Sequence, residues 1–193
     1  MMEGVVLPQK SFRFTDDEFY DFCVQNDSLK FERDKDGNII IMPNTGGVTG
    51  KLNARLTALL FNWNDVLGLG EIFDSSTAFR LESSAVRSPD VAWISNERWS
   101  QLLPSEQKKF PPICPDFVIE LMSESDILAE AKKKMQDEWI ANGCRLGWLI
   151  NPETETVYIY RANGEIQIIK GFDNSLSGED VLPDFELKLS KLR

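Results

Sequence analysis

The chain has 193 residues, a formal net charge of −10 and no histidine. The missing histidine excludes the Ser-His-Asp triad, the Cys-His pair, histidine zinc sites and a histidine general base. Cys23, Cys114 and Cys144 are odd in number, without metal spacing or an activating neighbourhood, so they read as reduced thiols rather than nucleophiles.

Phe12-Arg13-Phe14 leads into Thr15-Asp16-Asp17-Glu18, a capping-box pattern. It predicts a helix to about Asn26 with Phe19, Phe22, Cys23 and Val24 as its apolar stripe. Leu29 to Arg33 and Ile39 to Met42 read as strands joined through Asp36-Gly37, a hairpin signal. After Pro43 to Gly47, a helix over Val48 to Leu67 buries Leu52, Leu56, Leu59, Leu60, Trp63 and Val66 at helical spacing, and Gly68 to Gly70 ends it.

Ile72 to Leu81 and Arg87 to Ser95 read as paired strands. Asn96 caps a short helix through Leu103, and Pro104 to Pro115 is a loop. Phe117 to Met122 is a central strand, followed by one helix from Ser123 or Ser125 to about Asn142, ended by Gly143. Leu146 to Ile150 is a further strand, and Val157 to Tyr160 pairs with Ile166 to Ile169 across Ala162-Asn163-Gly164. Val181 to Leu187 closes the chain. With no repeat or linker, this pattern predicts one α/β domain over residues 1–193. No apolar run nears the roughly 18 residues of a membrane span, and no signal peptide opens the chain, so a cytoplasmic protein is expected.

Two carboxylates stand out. Asp90 lies in Arg87-Ser88-Pro89-Asp90-Val91-Ala92-Trp93-Ile94 and Glu120 in Pro115-Asp116-Phe117-Val118-Ile119-Glu120-Leu121-Met122. Each sits in or beside an apolar, β-branched run of the buried-strand type. Burying an unpaired carboxylate there costs roughly several kcal/mol, so a cation or partner is implied. The next helix carries Lys132, Lys133 and Lys134. Two strand carboxylates and a lysine form a minimal set for divalent-metal-assisted phosphodiester cleavage, and oxygen ligands alone point to Mg²⁺ or Mn²⁺.

A plain structural account also fits: Asp90 as the strand-start residue after Pro89, Glu120 as an ion-pair partner, and the lysines as a solvated face. Against the stripe Leu128, Ala131, Met135 and Trp139, Lys132 lies nearest the apolar edge, Lys134 flanks the other side and Lys133 points away. Asp116 and Asp126 are weaker candidates, as strand or helix termini, and Trp93, Trp139 and Trp148 are core. The acidic balance weighs against nucleic-acid binding unless basic residues such as Lys51, Arg55, Arg80, Arg87, Lys108, Lys109 and the lysine trio share a face.

Ser88-Pro89-Asp90-Val91-Ala92-Trp93, then Pro115 to Leu121 with a following serine, then Asn142-Gly143-Cys144-Arg145-Leu146-Gly147-Trp148 to Pro152 resemble the restriction-endonuclease-like nuclease family abundant in photosynthetic bacteria. The resemblance runs from the hairpin before Met42-Pro43 to the Leu182 to Leu187 tail. It implies the PD-(D/E)XK superfamily, with a mixed sheet flanked by helices and an N-terminal helix and hairpin. It also implies a Mg²⁺- or Mn²⁺-dependent endonuclease acting on DNA. Asp90 and Glu120 match the metal-binding acids. Met122 replaces the usual lysine two residues past the acid, and Lys134 is the matching lysine of the following helix, with Lys132 as the alternative. The Lys134 to Gly143 segment is one residue longer than in many relatives, and Val48 stands where many carry Glu. The rival expectation is a catalytically degenerate member serving as a binding or assembly module, which Val48 and the acidic balance favour. Trp99, Leu102, Leu103 and the hairpin edge at Val157 to Tyr160 predict a homodimer.

Overall fold

Two sheets exchange the chain at the residue before Val91, and that exchange positions the site. The computed structural model describes residues 5–8 and 13–193; Phe12, expected to lead into the first helix, lies outside them. Strand β1 (Val5–Leu7) precedes helix α1 (Asp16–Gln25), whose capping box forms as expected: Glu18 N–H donates to Thr15 Oγ1 and Thr15 N–H to the Glu18 carboxylate. The hairpin of β2 (Lys30–Arg33) and β3 (Ile39–Met42) follows, its turn closed by Asp34 Oδ1, which accepts from Asp36 N–H and Asn38 N–H.

Helix α2 (Gly47–Leu67) ends at Gly68, where the left-handed φ of 61° suits a residue without Cβ. It buries Leu52, Asn53, Leu56 and Leu60, while Val66, expected inside, is 81% exposed. At about 100° per residue, Val66 lies roughly 80° from Leu56 and 120° from Leu60. The inner face is therefore rotated toward Asn53.

Both long strands expected over 72–95 are broken. Strand β4 (Gly70–Asp74) stops where Asp74 Oδ1 accepts Ser76 N–H, and β5 (Phe79–Arg80) begins in the other sheet. Strand β6 (Val86–Arg87) belongs with β5, and β7 (Val91–Ser95) with β4. Pro89, without an N–H, interrupts the ladder between them. The short helices α3 (Asn96–Trp99) and α4 (Pro104–Gln107) divide what was expected as one helix and a loop.

Strand β8 (Phe117–Leu121) leads to α5 (Leu128–Lys133). The expected single helix to Asn142 instead changes pitch: a π-helical turn spans Lys134–Trp139 and a 3₁₀ turn Ile140–Asn142, ending at Gly143 with φ 102°. Strands β9 (Leu146–Asn151), β10 (Thr156–Arg161) and β11 (Ile166–Lys170), and the small pair β12 (Ser175–Ser177) and β13 (Glu186–Lys188), complete the chain.

The larger sheet runs β11-β10-β9-β8-β7-β4, with β8–β9 parallel and its other pairs antiparallel. The second runs β1-β3-β2-β6-β5. One core packs α2 and the C-terminal residues Phe185, Leu187, Leu189 and Leu192 against Trp93, Ile119 and Trp148. The other sets Met135 and Trp139 of the π turn among Ala92, Val118 and Leu149. This is the expected mixed sheet flanked by helices, with a second sheet that the hairpin alone did not announce. The edge expected at Val157 to Tyr160 belongs to β11 instead, because β10 is paired on both sides; Ile166 and Ile168 of β11 are exposed.

Candidate active site

Asp90 sits where the chain returns to the larger sheet. Its N–H donates to Ile119 O at 3.0 Å, and its Oδ2 accepts Leu121 N–H at 2.7 Å. These bonds bracket Glu120 on β8, so the carboxylate of Asp90 takes a ladder position beside it. Asp90 Oδ1 accepts from Asn53 Nδ2 of α2 at 2.7 Å. Burial raises the Asp90 pKa; the Leu121 N–H, the Lys134 charge and Asn53 offset part of that rise. Burial also raises Glu120, Lys134 lowers it, and the neighbouring negative charge of Asp90 pushes it up again. The two acids expected to act together are therefore brought together, each costly to ionise alone.

Lys134 Nζ lies 2.9 Å from Glu120 Oε1 and 3.2 Å from Ser88 O. Burial works against its charge, but Glu120 and Glu32 overcome this and raise its pKa. Trp139 Nε1 donates to Glu120 Oε1 at 2.6 Å, so this tryptophan is core and a site contact at once. Lys132 is elsewhere: its ammonium stands 4.0 Å from the centre of the Tyr158 ring. Lys133 is exposed.

Three further residues complete the cluster, and the sequence reading did not single them out as a group. Glu32 of β2 is 2% exposed and accepts from Arg87 Nη1 at 2.9 Å and Ser88 N–H at 3.1 Å. Arg87 Nη2 reaches Glu138 Oε1 of the π turn at 2.8 Å. Glu32 Oε1 lies 3.6 Å from Lys134 Nζ. Burial opposes the Glu32 charge, but Lys134, Arg87 and Lys30 hold its pKa below the usual value. Its only signal in sequence was an acid between Phe31 and Arg33 in an otherwise half-apolar hairpin. Asn53 was visible as a polar residue next to Leu52 on the helix stripe.

The remaining candidates are accounted for structurally. Asp116 is fully buried and accepts Ser95 N–H at 2.9 Å while pairing with Arg98 at 2.9 Å. Asp126 caps Ser123 N–H. Arg80 and Lys109 pair with Asp16 and Asp17 of α1, Arg55 donates to Lys191 O, and Arg87 is buried.

The donor set suits a hard divalent cation. Both acids offer oxygen, and Asn53 Oδ1, buried beside Asp90, has no partner. Among the described residues no group of three or more His, Cys, Asp or Glu side chains is placed to hold a metal. An ion here would rest on Asp90 and Glu120 and keep several waters, the usual habit of Mg²⁺. Among the described residues no helix is long and apolar enough to cross a membrane.

The fold is similar to the crystal structure of a putative nuclease belonging to DUF820 from Anabaena variabilis, with TM-score 0.72, 21% identity, and coverage of 93% of this chain and 97% of that one. A weaker likeness, TM-score 0.42 at 13% identity, relates 63% of this chain to 10% of a chain in a DrdV–DNA complex. No curated protein matches the chain. The family model of Uma2, described as putative restriction endonuclease, matches residues 16–190. That span takes in the hairpin, both acids, the π turn and nearly all of both sheets; the chain belongs to the Uma2 family of putative restriction endonucleases.

Proposed function

We propose that this protein is a divalent-metal-dependent endonuclease that hydrolyses DNA phosphodiester bonds. Asp90 and Glu120 hold a Mg²⁺ or Mn²⁺ ion, and Lys134 stabilises charge and orients water. The observation that carries the reading is the bracketing of Glu120 by the two Asp90 bonds, with the Lys134 ammonium 2.9 Å from Glu120. Restriction-endonuclease-like proteins usually use divalent ions, and family membership supports DNA as the substrate.

A bound divalent ion supplies Lewis-acid polarisation of a phosphate oxygen and a lowered pKa for an attacking water. The chain's own residues do the rest. Leu121 N–H and Asn53 fix Asp90 while leaving lone pairs on both oxygens. Trp139 fixes the rotation of Glu120. Lys134, once its contact with Glu120 is released, can donate to a phosphate oxygen and offset developing charge. The same reading takes residues 1–193 as one cytoplasmic domain acting as a homodimer. Exposed Leu103 and the β11 edge at Ile166 and Ile168 would supply its surface, and two sites suit the two-fold related strands of a duplex. Sedimentation at micromolar concentration tests the dimer; a monomer alone contradicts it.

A second reading, a catalytically degenerate nuclease fold acting as a binding or assembly module, is favoured by exposed Val48 and by the lysine already seated on Glu120. Calorimetric titration with Mn²⁺ separates the two. Nuclease function requires binding by the wild type and its loss in Glu120→Gln; no binding by the wild type favours the module.

A further inference from the structure

We propose that Glu32 is a positioning residue: a second, fixed counter-charge that takes over Lys134 when Glu120 turns to the cation. This rests on the metal reading above and deepens it. In the structure Lys134 leans on Glu120 at 2.9 Å, with Ser88 O at 3.2 Å and Glu32 Oε1 at 3.6 Å. A cation cannot share Glu120 with an ammonium at that distance without strong repulsion. The lysine needs another acid within reach, or it competes with the ion.

Glu32 meets that need without moving. Arg87 holds its Oε2 and Ser88 N–H its Oε1, while Arg87 is anchored to Glu138 on the turn that carries Lys134. Closing 3.6 Å to a charge-assisted hydrogen bond of about 2.8 Å asks a shift of under about 1 Å at the ammonium. Lone-pair capacity on Oε1 remains for it.

The charges match the same picture. Asp90, Glu120, Glu32 and Glu138 outnumber the cations that act on them, Lys134 and Arg87 within the cluster and Lys30 on Glu32 and Asp90, so the cluster keeps an excess of acids to receive a cation. Before binding, Lys134 serves Glu120 while Arg87 serves Glu32 and Glu138. After binding, Asp90 and Glu120 serve the ion, Glu32 pairs with Lys134, and Glu138 keeps Arg87. Glu32 thus keeps the lysine charged, beside the site and off the metal ligand.

The test is a double-mutant cycle in metal affinity, read by calorimetry with Mn²⁺ on the wild type, Glu32→Gln, Lys134→Met and the double variant. Glutamine keeps an acceptor for Ser88 N–H, and thermal melts report folding. Glu32→Gln should weaken Mn²⁺ binding about tenfold when Lys134 is present and change it by less than about twofold when Lys134 is methionine. An equal loss in both backgrounds means that Glu32 acts on the ion directly, and no loss means that it does not act; either overturns the assignment while leaving the metal site standing. Absence of Mn²⁺ binding by the wild type overturns both. Should Glu32→Gln fail to fold, nitrogen-15 NMR of the wild-type lysine ammonium, assigned by its absence in Lys134→Met, decides. Mg²⁺ should shift that resonance and leave it protected from exchange; an unmoved resonance at saturating, bound Mg²⁺ contradicts the handover.

Discussion

Lys134 and Trp139 stand five residues apart on one helical segment, yet both reach Oε1 of Glu120, at 2.9 and 2.6 Å. In an α-helix, residues five apart point about 140° away from each other. The π-helical turn over Lys134–Trp139 widens the coil and brings them onto one side. Lys134, not Lys132, is thereby the lysine presented to the acids.

Trp139→Phe should expose the value of that grip. It keeps most of the ring but removes the N–H donated to Glu120. A hydrogen bond to a charged group contributes about 1.5–3 kcal/mol. Urea unfolding should show a loss of that size, and a change below about 0.5 kcal/mol would contradict the contact.

The three lysines differ in position, and their variants should differ in activity. Lys134→Ala should cut Mn²⁺-dependent plasmid nicking by about 10²-fold or more, as with other removed charge-stabilising donors. Lys133→Ala should do little. Lys132→Ala should leave nicking intact and lose only its contact with Tyr158, about 0.5–1 kcal/mol of stability. Equal nicking by Lys134→Ala and wild type would reject the role.

Gly147 on β9 lies directly under the π turn. A Cβ there would stand 2.4 Å from Met135 Sδ, and Met135 is fully buried. Gly147→Ala should therefore overpack the turn, costing about 1–3 kcal/mol in thermal or urea unfolding and disturbing Lys134 with it. An alanine variant as stable and active as wild type would mean the turn can shift freely.

Much of this was legible in the sequence. Asp90 and Glu120 announced themselves because carboxylates in β-branched runs have no cheap reason to be there. The capping box at Thr15 and the Asp36-Gly37 hairpin are local chemistry and formed as written. What stayed hidden depends on distant partners. Glu32 looks like any hairpin acid until β6 brings Arg87 beside it. Val66 fits the helical stripe of α2, but the sheet favours Asn53 over it. The π turn breaks the 3.6-residue period on which the helix was read, and the exchange of strands between sheets at Asp74 and Pro89 leaves no periodic trace.

Metal binding should depend on pH with a definite sign. Burial raises both Asp90 and Glu120 above the ordinary range, despite the help of Lys134. Between the ordinary values and the raised ones the native protein holds more protons than the unfolded chain. The contribution of these groups to stability is thus present in acid and declines as pH rises through that window. Mn²⁺ must displace those protons, so its apparent affinity should go on rising with pH beyond the range in which ordinary carboxylates ionise. Calorimetry across a pH series checks this; a flat affinity beyond that range would contradict the raised acids.

The central claim meets its most direct test in cleavage of supercoiled plasmid by purified wild type, Asp90→Asn and Glu120→Gln, each with Mn²⁺, with Mg²⁺ and with a chelator. The account predicts nicked and linear products from the wild type with either ion, none with the chelator, and a fall of about 10²-fold or more in each folded variant. A wild type that cuts nothing, or a folded Glu120→Gln that cuts as well as wild type, would contradict it.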